Sequence, residues 1–206
     1  MHDGDDARDE PRPERRRMRP EDRRRAILDA ALAVFAEAGF GSASLNDVAE
    51  AAGVTKGCLY HHFDSKEALL VALLRDRART AAIPDADAPD AARADVLRAV
   101  VHHLWRRYQE PGQLELTTVA VAELPRTPAV AQVLFDEVVS RNRAALRGTL
   151  GRLAPPSPDD ELDAMLVPYM VMGAALGYRI FHGIDPMERA PDDLERALTR
   201  ILLHGI

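Results

Sequence analysis

Apolar residues recur along this chain at intervals of three and four positions, the spacing that places them on one side of an α-helix. The first stripe predicts a helix over 21–38 that ends at Gly39. It consists of Ile27, Ala31, Val34, Phe35 and Ala38. Later stripes, separated by Pro and Gly, predict a fifth to a ninth helix over 91–109, 114–124, 129–153, 159–182 and 192–204. Because no stretch alternates as a strand would, the pattern predicts an all-α fold of about nine helices.

Two stretches without apolar periodicity divide the chain. Residues 1–21 are polar, contain proline and carry charges of both signs, so they cannot bury enough apolar surface to order themselves. The segment Ile83–Asp90 is rich in Pro and Asp and is the predicted domain boundary. We therefore expect a disordered charged arm at 1–21, a three-helix domain at 22–66, a connecting helix at 67–82 and a second helical domain at 83–206.

Residues 45–70 predict two short helices joined by a tight turn and followed by the start of a longer helix. Ser44 can cap the first short helix, with Asp47 placed to complete a capping box, and Thr55 can cap the second. Between them, Gly53 tolerates the positive φ that ends a helix. Asp64 or Ser65 is placed to cap the longer helix.

The second short helix has one apolar and one polar face. Leu59 and Phe63, four residues apart, are expected to face inward. The residues expected to face outward are Thr55, Lys56, Gly57, Tyr60 and His61. Two short helices with a polar, cationic second helix are typical of a helix-turn-helix that enters the DNA major groove. The only two lysines of the chain, Lys56 and Lys66, bracket this helix, and lysine commonly binds phosphate.

The sequence of residues 54–69, VTKGCLYHHFDSKEAL, resembles the signature of the tetracycline-repressor (TetR) family of bacterial regulators. The preceding run Ile27–Leu32, with Phe35, Gly39 and Phe40, is similar to that family as well. The resemblance extends from about residue 23 to residue 74; beyond it only length and helical character match. It implies an all-α homodimer with an N-terminal DNA-binding domain and a C-terminal domain that binds a small molecule and dimerises.

The resemblance implies roles for seven residues of the helix-turn-helix. Phosphate contacts are expected from Ser44, Tyr60 and Lys66, because the family uses hydroxyls and a lysine at these positions. Contacts to base edges, which give specificity, are expected from Thr55, Lys56 and His61. Gly57 has no side chain and allows the helix to approach the duplex closely. A core position is the alternative for Tyr60.

The second helical domain is expected to hold a ligand pocket and the dimer interface. Pocket candidates on the helices that line it in the family are Trp105, Tyr108, Thr117, Thr118, Phe135, Asn142, Tyr169 and Met172. Each could instead be a core residue. Few charges fall on the apolar faces there, which favours a neutral or weakly polar ligand. The family pairs its last two long helices across the dimer axis, which assigns Gly173 and Gly177 to that interface; close packing within one subunit is the alternative.

Charge and composition narrow the picture. The 206-residue chain has a net charge of −6, so DNA binding requires a local basic patch. Arginines at 15–17, 19 and 23–25 supply one, as a phosphate-gripping arm or as a solvated tail. The single cysteine fits a reducing compartment, and the charged N-terminus predicts no signal peptide. The longest uncharged run, Met165–Tyr178, is too short to span a bilayer, so a cytoplasmic protein with no membrane partner is expected.

The residue types exclude several chemistries. We find no nucleophile–base constellation, no Gly-rich phosphate loop after a strand and no spacing typical of metal ligands, so neither an enzyme, a metal site nor a cofactor is expected. The sequence predicts a dimeric transcriptional regulator, most simply a repressor that a small-molecule ligand releases from a palindromic operator. A dimeric DNA-binding regulator without a ligand, an activator, and a small all-α enzyme are the alternatives.

Overall fold

Nine continuous helices follow one another in the described part of the chain, which in this computed structural model comprises residues 19–79, 83, 92–153, 157–181 and 191–204. They are α1 (Pro20–Ala38), α2 (Leu45–Ala51), α3 (Lys56–His62), α4 (Lys66–Ala78), α5 (Arg93–Tyr108), α6 (Gln113–Glu123), α7 (Pro128–Val133, Leu134–Ser140 and Arg141–Leu150), α8 (Asp160–Phe181) and α9 (Pro191–His204). No strand occurs within these ranges, so the all-α fold is confirmed. Most of the predicted arm at 1–21 and of the linker at 83–90 lies outside the described residues.

Side-chain caps fix the starts of the short helices, as the sequence predicted. At α2 the Asp47 N–H donates to Ser44 Oγ at 3.2 Å, and the Ser44 N–H donates to the Asp47 carboxylate at 2.9 Å. At α3 the hydroxyl oxygen of Thr55 accepts from the backbone N–H three residues on, and Ser65 caps α4 in the same way. Gly53 has a φ of 63° in the turn between α2 and α3. These local contacts set the angle between the two short helices.

The apolar face of α1 is buried on two sides. Ile27, Leu28 and Phe35 are each at most 1% exposed. The core that contains them includes residues of α2, α3 and α4 on one side and of α6 and α7 on the other. The short helices therefore share one core with α6 and α7. The division into domains at 83–90 stays a prediction, and it does not coincide with a gap in the packing.

A second core lies between α5, α7 and α8. Trp105 is 1% exposed at its centre, surrounded by apolar residues from all three helices, and α9 packs on its edge. Both α7 and α8 are irregular beside this core. Residues Leu134–Ser140 of α7 form a π-helical turn, whereas the sequence predicted a regular helix. Pro168 lies inside α8 and has no N–H, so the carbonyl four residues earlier has no helical donor.

The turn before α6 presses directly on α1. Gly112 has a φ of 76°, and a Cβ built on it would lie 2.4 Å from Leu32 Cδ2. We predict that Gly112→Ala lowers the free energy of unfolding by about 1–3 kcal/mol, because it combines backbone strain with a clash. Urea denaturation measures this quantity. Gly148→Ala in α7, where the nearest atom is 3.7 Å away, serves as the control and should not destabilise the protein. Equal stabilities of the two variants would contradict the close contact.

Candidate functional site

The outward face of α3 is the first candidate site. Leu59 is fully buried and Phe63 is 5% exposed, so the apolar side of the helix faces the core as predicted. The exposed residues on its other side are Thr55, Lys56, Gly57, Tyr60 and His61. The predicted orientation of α3 is thus confirmed, and all five candidate residues are accessible to a partner. Their contact with DNA stays a prediction.

Tyr60 and Lys56 form a joint feature of this face. Tyr60 is 44% exposed, so a core position for it is wrong. The Lys56 ammonium lies 5.7 Å from the centre of the Tyr60 ring, within the range of a cation–π contact. A Cβ built on Gly57 would meet no atom within 4 Å, so the space in front of the helix is open. This pairing presents a cation and a phenol hydroxyl together.

The N-terminal turn of α1 adds positive charge beside the end of α3. The Arg24 guanidinium lies 5.6 Å from the centre of the Phe63 ring. Burial lowers the pKa of His62, and the nearby positive charges of His61, Arg23 and Arg24 lower it further. These groups therefore lie close enough to repel one another, which makes this edge of the surface attractive to anions. Of the arm arginines at 15–19, only Arg19 is among the described residues, and its side chain is exposed.

The two remaining phosphate candidates differ in how far their polar atoms are already used. Ser44 Oγ accepts the capping bond of α2, and its hydroxyl hydrogen remains a donor. Lys66 Nζ instead lies within 3.1 Å of the carbonyl oxygens of Phe40, Gly41 and Ala43. Since an ammonium group has three hydrogens, these bonds use all of them. The structure therefore does not support the direct phosphate contact predicted for Lys66; its ammonium holds the loop between α1 and α2.

An internal cleft between α5, α7 and α8 is the second candidate site. It consists of two adjoining cavities of about 50 and 30 Å³. Residues that line both are Leu104, Tyr108, Val138, Val139, Asn142 and Met172. Four of the predicted pocket residues meet here, namely Tyr108, Asn142, Tyr169 and Met172, and Thr117 lines the first cavity. Burial raises the pKa of Tyr108 to about 12, so its phenol is neutral and can donate a hydrogen bond.

Three predicted pocket residues do not line this cleft. Trp105 is enclosed in the second core because its large side chain fills the space between α5 and its neighbours. Thr118 is exposed and donates its hydroxyl to the Leu114 carbonyl, beside a surface groove between α1, α6 and α8. Phe135 is 52% exposed on the outer side of the π-helical turn. Their role as ligand contacts stays a prediction, which this cleft does not support, since helical periodicity does not resolve which neighbour each face meets.

Among the lining residues that were not predicted, Arg107 is a buried cation. Arg107 is 7% exposed, lines the first cavity and donates through Nη2 to the Arg77 carbonyl at 2.9 Å and to Gln113 Oε1 at 3.1 Å. Burial lowers the pKa of its guanidinium. The cleft thus contains a charged group at this position, where few charges were expected. A signal existed in the sequence, because residue 107 continues the stripe of Val100 and Leu104 at a spacing of three.

The outer face of α8 is apolar and exposed. Its large exposed residues are Leu162, Leu166, Tyr169, Met170, Ile180 and Phe181. Gly173 and Gly177 lie between them, and a Cβ on either would meet no atom within 4 Å, so close packing within one subunit is wrong for both. By length and composition alone, α8 is long and apolar enough to cross a membrane. This differs from the expectation that its uncharged run is too short to span a bilayer. A core helix passes the same test, and the other face of α8 packs in the second core.

Within the described ranges, no group of three or more His, Cys, Asp or Glu side chains is arranged to hold a metal ion.

The fold and the exposed α3 define an all-α protein with a helix-turn-helix. Residues 27–73 match the family profile described as bacterial regulatory proteins, tetR family. Residues 27–73 are therefore a DNA-binding domain of the TetR type, and the rest of the chain lies outside this match.

Individual relatives agree with this assignment. The transcriptional repressor KstR2 of Rhodococcus jostii is 49% identical over 53 residues, which cover 26% of each chain. The transcriptional regulator UidR of Escherichia coli K12 is 35% identical over 115 residues, which cover 55% of this chain and 58% of UidR. The chain thus spans less than two thirds of the length of either relative. The solved structure of Salmonella enterica GusR is 27% identical, with a TM-score of 0.67 over 90% of this chain and 97% of that chain.

The bonds of Lys66 generate a prediction. We expect Lys66→Met to lower the free energy of unfolding by about 1–3 kcal/mol, because three carbonyl groups near the α1–α2 loop lose their donor. Lys56→Met, at an exposed position in the same domain, is the matched control and should leave stability unchanged. Urea denaturation of both variants measures the difference. A stable Lys66→Met protein whose DNA binding depends less on salt would restore the phosphate role instead.

Proposed function

We propose that this protein is a DNA-binding transcriptional regulator, a repressor that leaves its operator when a small molecule binds. The observation that carries the proposal is the exposed polar face of α3, held outward by buried Leu59 and Phe63. In this proposal α3 enters the major groove, with Thr55, Lys56 and His61 at base edges and Tyr60 and Ser44 at phosphates. The cations at the start of α1 supply the local attraction that a net charge of −6 does not.

The exposed face of α8 supports a homodimer. Its exposed apolar residues, together with Gly173 and Gly177, recur at spacings of three and four, which is the pattern of a helix that packs against another helix. Gly173 and Gly177 allow the two backbones to approach closely. A two-fold dimer would present two copies of α3 to successive major grooves, about one helical turn apart. The operator is then a near-palindrome, and a cytoplasmic location follows from this role.

The cleft supports the ligand-release part of the proposal. Its walls are apolar with a few convergent polar groups, as ligand sites are. Its present volume is far below the roughly 300–1,000 Å³ of pockets that hold drug-sized ligands, so a ligand requires α7 and α8 to separate. A ligand that binds this wider state more tightly shifts the dimer towards it. The small volume also favours the alternative of a DNA-binding dimer without a ligand.

The DNA-binding proposal predicts that the protein enriches a near-palindromic sequence from a random duplex library at physiological salt. His61→Ala should relax base preference at one position of each half-site, because a base contact carries specificity. Arg24→Gln should weaken binding across all sequences and lower the salt dependence, because a phosphate contact carries none. Arg98→Gln, in α5 and paired with Asp95, is the control and should change neither. No enrichment by protein freed of bound small molecules would contradict the proposal.

The dimer proposal predicts that Gly173→Leu weakens self-association at least about tenfold, because the added side chain separates the two helices. Analytical ultracentrifugation over a range of protein concentrations measures the constant. No atom of the same subunit lies within 4 Å of a Cβ at this position, so the added side chain begins in open space. Ala144→Leu, at an exposed position of α7, is the control. A dimer of unchanged strength would place the interface elsewhere.

A further inference from the structure

Hydrogen-bond donors converge on the end of the cleft nearest α4. Arg107 lines only this end and contributes a guanidinium, while Tyr108 and Asn142, which line both cavities, contribute a neutral phenol and an amide. The Asn142 Oδ1 already accepts from the Ile83 N–H at 3.3 Å, so the amide nitrogen provides its remaining donors. Among the described residues that line the two cavities there is no Asp or Glu. The cleft therefore offers a positive, donor-rich end without an acidic group.

The other end of the cleft is mainly apolar; among its described lining residues the one charged group is Arg143, which is paired with Glu161. Its walls come from Ala164, Met165 and Pro168 of α8, together with Val138 and Val139 of the π-helical turn. Both irregular helical segments thus border the same space, and π-helical turns occur frequently at functional sites. The positive end and the apolar end are joined through residues common to both cavities. A matching ligand has an apolar body and one anionic group.

We infer that Arg107 is the anion-binding residue of the cleft and that the ligand is a small apolar carboxylic acid, bound with its carboxylate at Arg107. This inference rests on the proposed function, because it assigns the chemical class of the releasing ligand. Arginine presents two parallel N–H groups that match the two oxygens of a carboxylate. A neutral ligand of the same shape leaves this buried cation with no charged partner inside the cleft, and only the half-exposed Glu110 carboxylate beside it.

The present partners of Arg107 are weaker than a carboxylate inside the cleft. Its Nη2 donates to one backbone carbonyl and one side-chain amide, both neutral. Its nearest acidic group is the carboxylate of Glu110, 3.6 Å from Nη1, but that side chain is 55% exposed and partly screened by water. A carboxylate brings a full negative charge and two acceptor oxygens that match the guanidinium, whereas both present acceptors of Nη2 are neutral. An incoming carboxylate can therefore take over Nη2.

This exchange reaches the DNA-binding helices. The Arg77 carbonyl that Arg107 holds belongs to the last turn of α4, where helix carbonyls have no partner within the helix. The Arg77 guanidinium in turn lies 3.4 Å from the carboxylate of Asp29 on α1. Binding of a carboxylate at Arg107 thus removes a donor from the end of α4, next to a contact with α1.

The test compares carboxylic acids with alcohols of the same shape, by calorimetry and by melting temperature, without DNA. The probes are hexanoate with hexanol and benzoate with benzyl alcohol. For the wild-type protein we expect each acid to bind about ten- to a hundredfold more tightly than its alcohol. Arg107→Gln should lose this preference and Arg107→Lys should keep part of it. Arg98→Gln, an exposed arginine of α5 that pairs with Asp95 and does not line the cleft, should keep it fully.

A second measurement uses only the wild-type protein, so its result does not depend on whether Arg107→Gln folds. In the wild-type protein, the side-chain nitrogen signals of Arg107 in an NMR spectrum should shift on addition of benzoate and not of benzyl alcohol. Equal binding of acids and alcohols, no binding of either acid, or a preference that survives in folded Arg107→Gln would overturn the inference. Because these measurements contain no DNA, their failure is distinguishable from failure of the operator selection.

Discussion

The burial of one face of α1 is the interaction on which the rest of this structure depends. A seven-residue helix such as α3 is too short to be stable by itself, so its position has to come from packing. Ile27, Leu28 and Phe35 provide that packing, and complete burial of each contributes about 1.5–3 kcal/mol. Since the same core takes in α6 and α7, the orientation of the exposed α3 surface depends on helices far along the chain.

The cleft is built where regular helix packing is interrupted. In a regular bundle, apolar side chains fill the space between helices to crystal-like density and leave little room. Here the π-helical turn of α7 and Pro168 of α8 border the same space, and a cation is buried at its edge. A buried guanidinium is costly unless its hydrogens are bonded, and Arg107 meets that requirement with the end of α4. The cleft therefore combines local irregularity with a polar group that holds a neighbouring helix.

The features that the sequence predicted correctly are those set by neighbours within a few residues. The Ser44 capping box, the Gly53 turn and the inward face of α3 depend on spacings of three and four, which a sequence displays directly. The contacts of Lys66 and Arg107 could not be predicted in this way. Lys66 binds backbone carbonyls 23 to 26 residues away, and Arg107 binds the Arg77 carbonyl 30 residues away. Phe135 lies outside the cleft, on a π-helical turn whose angular spacing differs from the one that periodicity assumes.

The two residues with distant partners give α4 its place in the molecule. At its start, Lys66 holds the loop that precedes α2, and at its end a carbonyl is held by Arg107 at the border of the cleft. A helix fixed at both ends transmits displacement better than one that frays, but position between two sites is no evidence of coupling by itself. The physical basis here is competition, because both hydrogens of Arg107 Nη2 are already used and a carboxylate that takes them must release α4. A ligand without that charge has no such effect, even when it fills the apolar end tightly. Such a ligand acts only if it binds more tightly when α4 is released from Arg107 than when α4 is held by it.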